Sequence, residues 1–157
     1  MNLNNLTNLI NKLTEFGTSP KVEYEDKILE LKILLVEIYA HFLNSDSSQL
    51  EDDKKDDDEI DPPNFDYNET RKIVESNFPD LGWYSTTLEI NETWKESNLA
   101  IGDAIDDLTD IINDLLEIKW RFENTTEKKA LWYFELLMRI HSEQHLVDLL
   151  KYLKDRE

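Results

Sequence analysis

The sequence predicts an all-α protein: a single-domain helical bundle of about five helices, with a long acidic loop between the second and third. Three observations carry this expectation. Only three Gly and four Pro occur in 157 residues, too little turn material for an all-β chain. Long stretches space their apolar residues three and four apart, the period of an amphipathic helix. Hydrophobic residues make up 39% of the chain, enough to build one core over residues 1–157 and too many for a disordered chain.

The first helix is expected from about Asn5 to Phe16, with Leu6, Leu9, Leu13 and Phe16 on one side and GTSP (17–20) stopping it. The second runs from about Lys21 to Leu43, where Ile28, Leu31, Leu35, Ile38 and Phe42 form a seam for packing on other helices. Residues 45–67 are then expected to form an acidic, flexible internal loop. Between Glu51 and Asp61, eight of eleven residues are acidic and only Lys54 and Lys55 oppose them. An EF-hand needs acids at alternate positions, Gly at the sixth and a bidentate Glu at the twelfth; this run has no Gly and inserts two lysines, so it reads as a hydrated linker closed by Pro62 and Pro63. Asp66 with Glu69 resembles a capping box that opens a short helix to about Asn77. Pro79 and Gly82 break the following stretch. Its WYSTTLEI segment has strand character but no evident partner, so residues 77–94 are expected to be an ordered aromatic connector. A fourth helix is expected from about Leu99 to Glu123. Asn124 and Glu127 read as N-cap and N3 of a fifth, ending near Leu153. ALWYFELLMRI (130–140) is apolar nearly all round, which makes the fifth helix central, and the second, fourth and fifth are expected to form the core.

Charge narrows the functional classes. The formal net charge is −18, and removing Glu51–Asp61 still leaves −12, so the folded body is acidic as well as the loop. Such a field repels nucleic acid and anionic membrane and favours a basic protein partner or a cation. The absence of Cys excludes disulfides, thiolate metal sites and Cys nucleophiles. There is no Gly-rich phosphate loop and no nucleophile elbow. MNLNNLTNLINKL lacks a basic start and a continuous apolar run, and no stretch approaches the ~20 residues needed to span a bilayer; the expectation is a soluble cytoplasmic protein.

Two polar ladders carry the candidate chemistry. On a helical wheel with Ile101 at zero, Ile105, Leu108, Ile112 and Leu115 fall within about 40° of it, at ~100° per residue. Asp103, Asp106, Asp107, Asp110, Asp114 and Glu117 occupy the opposite arc and are expected to face solvent or a partner. On that reading, reversing Asp106, Asp110 and Asp114 to Lys leaves folding nearly intact. The second ladder is His141, His145 and Asp148 at i, i+4 and i+7, on one face with Phe134, Leu137 and Tyr152. Two imidazoles one turn apart can share a metal ion, although Glu143 does not follow the first His as in an H-E-x-x-H helix. The other reading is a polar strip at the edge of the core. His41, Glu37 and Glu30 share one side of the second helix and would join such a site only if that side met the His141 face.

GDAIDDLTDIINDL (102–115) and ALWYFELLMRIHSEQHLVDLLKYL (130–153) resemble the C-terminal half of the bacterial domain-of-unknown-function family 5063. Gly102–Asp103, Asp106–Asp107, Asp110, Trp132, His141 and His145 carry the resemblance. LKILLVEIYAHFL (31–43) is similar to the family's N-terminal helix and GWYSTTLE (82–89) to its aromatic connector. The resemblance implies an all-helical domain and supplies no activity. It also sets the Asp and His ladders in one pattern, in which Asp103 or Asp107 reaches across to His145 in a buried ion-pair network that raises the imidazole pKa.

The functional expectation is a non-catalytic acidic binding protein without a cofactor, such as an immunity- or antitoxin-type inhibitor of a basic protein. Asp103, Asp106, Asp107, Asp110, Asp114 and Glu117 would meet that partner. The alternative is a metal-dependent enzyme or metal-binding protein holding a divalent transition metal on His141, His145, Asp148 and nearby carboxylates.

Overall fold

The computed structural model describes residues 3–45, 60–88, 91, 95 and 98–156, so most of the acidic loop lies outside the described residues. Among the described residues, six α-helices and one hairpin follow in order: α1 (Leu3–Thr18), α2 (Lys27–Leu43), α3 (Tyr67–Asn77), β1 (Trp83–Thr87), β2 (Leu99–Asp103), α4 (Ala104–Asn124), α5 (Glu127–Leu137) and α6 (Glu143–Asp155). A π turn, Met138–Ser142, joins the last two. The helical fold expected from the sequence is the fold observed.

The helix in the middle is α4, not the C-terminal one. It packs against α1, α3, α5 and α6, and no residue from Ala104 to Phe122 is exposed. The expected stripe of Ile105, Leu108, Ile112 and Leu115 is buried, and so are Ile111 and Ile118 beside it. The core extends to α1, whose Leu6, Leu9, Ile10, Leu13 and Phe16 are all buried. Gly17 lets α1 approach closely: a Cβ there would stand 2.7 Å from Ile112 Cγ2 and 2.8 Å from Thr70 Cγ2.

Side-chain caps set several boundaries. As expected, Asp66 caps α3, accepting from Asn68 N at 3.0 Å and Glu69 N at 3.2 Å. α2 starts at Lys27 rather than Lys21, because Asp26 accepts from Leu29 N at 2.9 Å and is its N-cap. The segment before it is held by buried Asn77, which accepts from Val22 N at 3.0 Å and donates to Phe16 O at 3.0 Å and Ser19 O at 2.7 Å. Thr126, not Asn124, caps α5 by accepting from Lys129 N at 3.3 Å; Asn124 ends α4.

The connector strand has a partner. β1 pairs antiparallel with β2, Trp83 opposite Asp103 and Ser85 opposite Ile101. Residues 99–103, expected as the first turn of the fourth helix, are that partner. Asp103 is the point of change: its Oδ1 accepts from Ile105 N at 3.0 Å, so the helix starts only after it. Gly102 faces Tyr84 across the hairpin, where a Cβ would meet the Tyr84 ring at 2.3 Å. The missing side chain lets that ring lie over the strand.

The π turn has a sequence cause. Ala130, Phe134, Met138, Ser142 and Leu146 are buried at successive spacings of four. In an α-helix each four-residue step overshoots a full turn by about 40°, so the buried line would drift off the core within a few steps. One wide turn takes up that drift and keeps the faces of α5 and α6 on the core.

Candidate metal centre

Along α4 most of the carboxylates expected on the open arc are covered by other elements. α3 supplies Tyr67 and Arg71, the hairpin supplies Tyr84, and the junction of α5 and α6 supplies His141, Ser142 and His145. Each of the six is met by a charged or hydrogen-bonding side chain. The Arg71 guanidinium binds Asp103 Oδ2 at 2.6 Å and Asp106 Oδ1 at 2.9 Å, and Tyr67 donates its hydroxyl to the same Asp106 oxygen. Asp107 accepts from the Tyr84 hydroxyl on Oδ2 and pairs with His145 Nδ1 at 2.8 Å on Oδ1. Asp114 pairs with His141 Nδ1 at 2.9 Å and accepts from Ser142 Oγ at 2.5 Å. Glu117 holds Arg121 Nε at 2.9 Å and Nη2 at 2.7 Å.

The six acids expected on the open arc are therefore a lining, not a face. Asp107 is buried, and only Asp106 keeps close to half its side-chain surface, 47%, in contact with solvent. The helical wheel placed them correctly opposite the apolar stripe, but other elements cover that arc. The Asp107–His145 contact raised by the resemblance is present, whereas Asp103 turns to Arg71 instead.

The histidines sit differently from their partners in sequence. Asp148, expected to join them, accepts from Gln144 at 2.8 Å on its own helix and does not join. Asp110 of α4 takes its place: Asp110, His141 and His145 offer ligand atoms that all lie within 4.8 Å of one another. Asp110 Oδ2 is 3.7 Å from His145 Nε2, and the two imidazole rings meet edge to face at 4.8 Å. His41 points elsewhere, toward Asn5 at 3.2 Å, and Glu30 pairs with Lys12 at 3.6 Å, so the second helix adds nothing to the cluster.

Protonation follows the burial and the partners. The hydrogen bond to Asp107 holds His145 above the ordinary imidazole range, against the opposing effect of burial. Burial raises Asp110 above the usual carboxylate range, with the nearby His145 opposing it. The Tyr84 hydroxyl is raised well above the ordinary phenol range by burial and by its bond to Asp107; Tyr67 is raised likewise by burial and by Asp106.

Tyr67, Arg71, Tyr84 and Ser142 are the partners that the sequence reading missed. Arg71 and Tyr67 lie one turn apart at the start of α3, a signal that this short helix turns a polar face inward. Tyr84 alternates with exposed Trp83 and Ser85 on the strand, a signal that it points the other way.

No family model matches the chain, and no curated protein matches it. Among solved structures, protein BF1032 from Bacteroides fragilis is similar in fold, with a TM-score of 0.62 over 100% of this chain and 92% of that one, at 16% sequence identity. At that identity the likeness concerns the helical fold alone.

Proposed function

We propose that this protein binds a divalent transition-metal ion between α4 and the π turn, through His141, His145 and Asp110. One observation carries the reading. Each imidazole has its Nδ1 engaged by a carboxylate of α4, Asp114 for His141 and Asp107 for His145, which leaves Nε2 as the ligand atom on both. A carboxylate behind each ligating imidazole sets the tautomer, fixes the ring and strengthens it as a donor. Two imidazoles and a carboxylate suit Zn²⁺, Mn²⁺ or Fe²⁺ and leave coordination positions open, which is the ligand set of a metal-dependent enzyme as well as of a carrier. A tetrahedral ion with bonds of about 2.1 Å would bring its ligands to about 3.4 Å apart. His141, exposed at the rim, has the least packing around it to resist closing that distance.

Metal analysis of protein purified without chelator, followed by thermal melting with EDTA and with added Zn²⁺ or Mn²⁺, tests this. One equivalent of metal is expected, and saturation at about 100 times Kd stabilises by about 2.7 kcal/mol. His145→Ala and Asp110→Asn should abolish the metal-dependent rise. A melting temperature indifferent to metal in the wild-type protein would overturn the proposal.

A basic protein partner is the second reading, supported by the net charge of −18. The α4 carboxylates expected to meet it are committed to Arg71, Tyr67, Tyr84 and the histidines. The attraction on this reading therefore comes from the whole acidic field rather than from that helix. Binding of such a partner should weaken steeply with salt.

A further inference from the structure

We infer that α2 pairs with α2 of a second copy of this chain, in parallel, through an apolar seam on its outer side. The helix carries two seams. Leu31, Leu34, Leu35, Ile38 and Phe42 face the core and are buried. On the other side Leu29, Ile33, Val36 and Leu43 are 53%, 43%, 53% and 62% exposed, and exposed Ala40 completes the line. These five positions follow one another at spacings of four, three, four and three, the a and d pattern of a two-stranded coiled coil. From Leu29 to Leu43 the seam runs about 21 Å at 1.5 Å per residue. A free helix of two heptads would be marginal, but α2 is already ordered by its inner face, so pairing carries little further ordering cost.

Glu143 of α6 accepts from Tyr39 of α2 at 3.0 Å. Ile140 and Val147, three residues before and four after Glu143, are exposed as well.

The flanking charges favour a second copy in a particular orientation. With Ile33 at a and Val36 at d, Lys32 falls at g and Glu37 at the following e. In a parallel pair g meets the e position five residues on in the other helix, so Lys32 of each copy meets Glu37 of the other. An antiparallel pair brings g to g and e to e, so Lys32 would lose Glu37 of the other copy and the two Glu37 side chains would approach near the middle of the seam. Other occupants fit less well. Residues 46–59, which follow the helix, contain one apolar residue, Leu50, among eight acids, and offer nothing to fill a seam of this length. The net charge of −18 opposes self-association at low salt and likewise disfavours an anionic membrane there.

Sedimentation velocity of the full chain over a concentration series, at low and moderate salt, reads the outcome. A dimer is expected whose Kd falls as salt screens the net repulsion. The pair Ile33→Glu and Val36→Glu should raise that Kd at least a hundredfold, with the melting temperature of the monomer, read at concentrations below Kd, unchanged because both positions are exposed. Lys32→Glu alone should weaken the dimer, and Lys32→Glu with Glu37→Lys should restore it. A wild-type protein monomeric at several hundred micromolar in moderate salt, or a dimer indifferent to the seam variants, would overturn the inference. Weakening by Lys32→Glu without rescue by the double exchange would overturn the parallel arrangement. Monomers that capture an added amphipathic basic helix on this seam would assign it to a different partner and also count against it.

Discussion

Tyr84 shows how one residue ties the hairpin to the centre of the bundle. Its ring lies over Gly102 and packs tilted against Tyr152 at 5.2 Å between centroids, and its hydroxyl reaches the buried Asp107 that orients His145. Tyr152 in turn accepts from Gly82 N at 2.9 Å, so the strand is anchored at both ends of the contact. The phenol is raised above its ordinary value of 10.0 by burial first and by Asp107 second. A group that holds its proton more tightly when folded stabilises fully below its unfolded pKa, and that stability is lost as pH rises through the folded one. The window therefore opens above pH 10. Urea unfolding between pH 9 and 11 should show falling stability, and Tyr84→Phe should flatten part of that slope. The same substitution should cost about 1–2 kcal/mol at neutral pH, because it leaves one oxygen of a buried carboxylate without its donor. An unchanged slope in the variant would mean that the hydroxyl is not held as described.

At the scale of the element, the π turn is the consequential feature. It lets Phe134 and Met138 of one helical run and Ser142, Leu146 and Leu149 of the next share one core. It also places His141 and Ser142 together on Asp114. Deleting exposed Ile140 would turn one of the four-residue spacings into three, which a regular α-helix accommodates without drift. That variant is expected to keep its helical circular dichroism and a cooperative melt while weakening metal binding, since His141 leaves its position. Inserting Ala after Ile140 instead rotates α6 by about 100° relative to α5. Burial of Leu146, Leu149 and Leu153 is then lost, at about 1.5–3 kcal/mol each, and the insertion should fail to fold cooperatively. Equal effects from deletion and insertion would refute this account of the turn.

Across the molecule, charges are distributed between a lined interior and an acidic exterior. Asp106, Asp110 and Asp114 belong to the lining, so converting all three to Lys is expected to destabilise the protein by several kcal/mol rather than leave it intact. Each new ammonium would face Arg71, His145 or His141, turning an attraction into a repulsion in a partly desolvated site. Chemical denaturation measures this directly. A triple variant as stable as the wild type would show that the carboxylates are in water after all.

The sequence by itself determined the class and the local faces. Scarce Gly and Pro, the stripe of Ile105, Leu108, Ile112 and Leu115, and the cap at Asp66 were all legible, because helix formation and amphipathicity depend on residues three or four apart. Those same local rules misplaced the start of α4, since whether residues 99–103 become a strand depends on β1, more than a dozen residues earlier. Only the tertiary structure decided what covers the acidic arc of α4. Arg71 lies 32 residues from Asp103 and His145 lies 38 from Asp107, and periodicity carries no information over such separations. For the same reason Asp148, next along the His ladder, was the legible third ligand, while Asp110 was the one that packing brought into reach. A wheel says which way a side chain leaves its own helix; the neighbouring helices decide whether it meets water, a guanidinium or an imidazole.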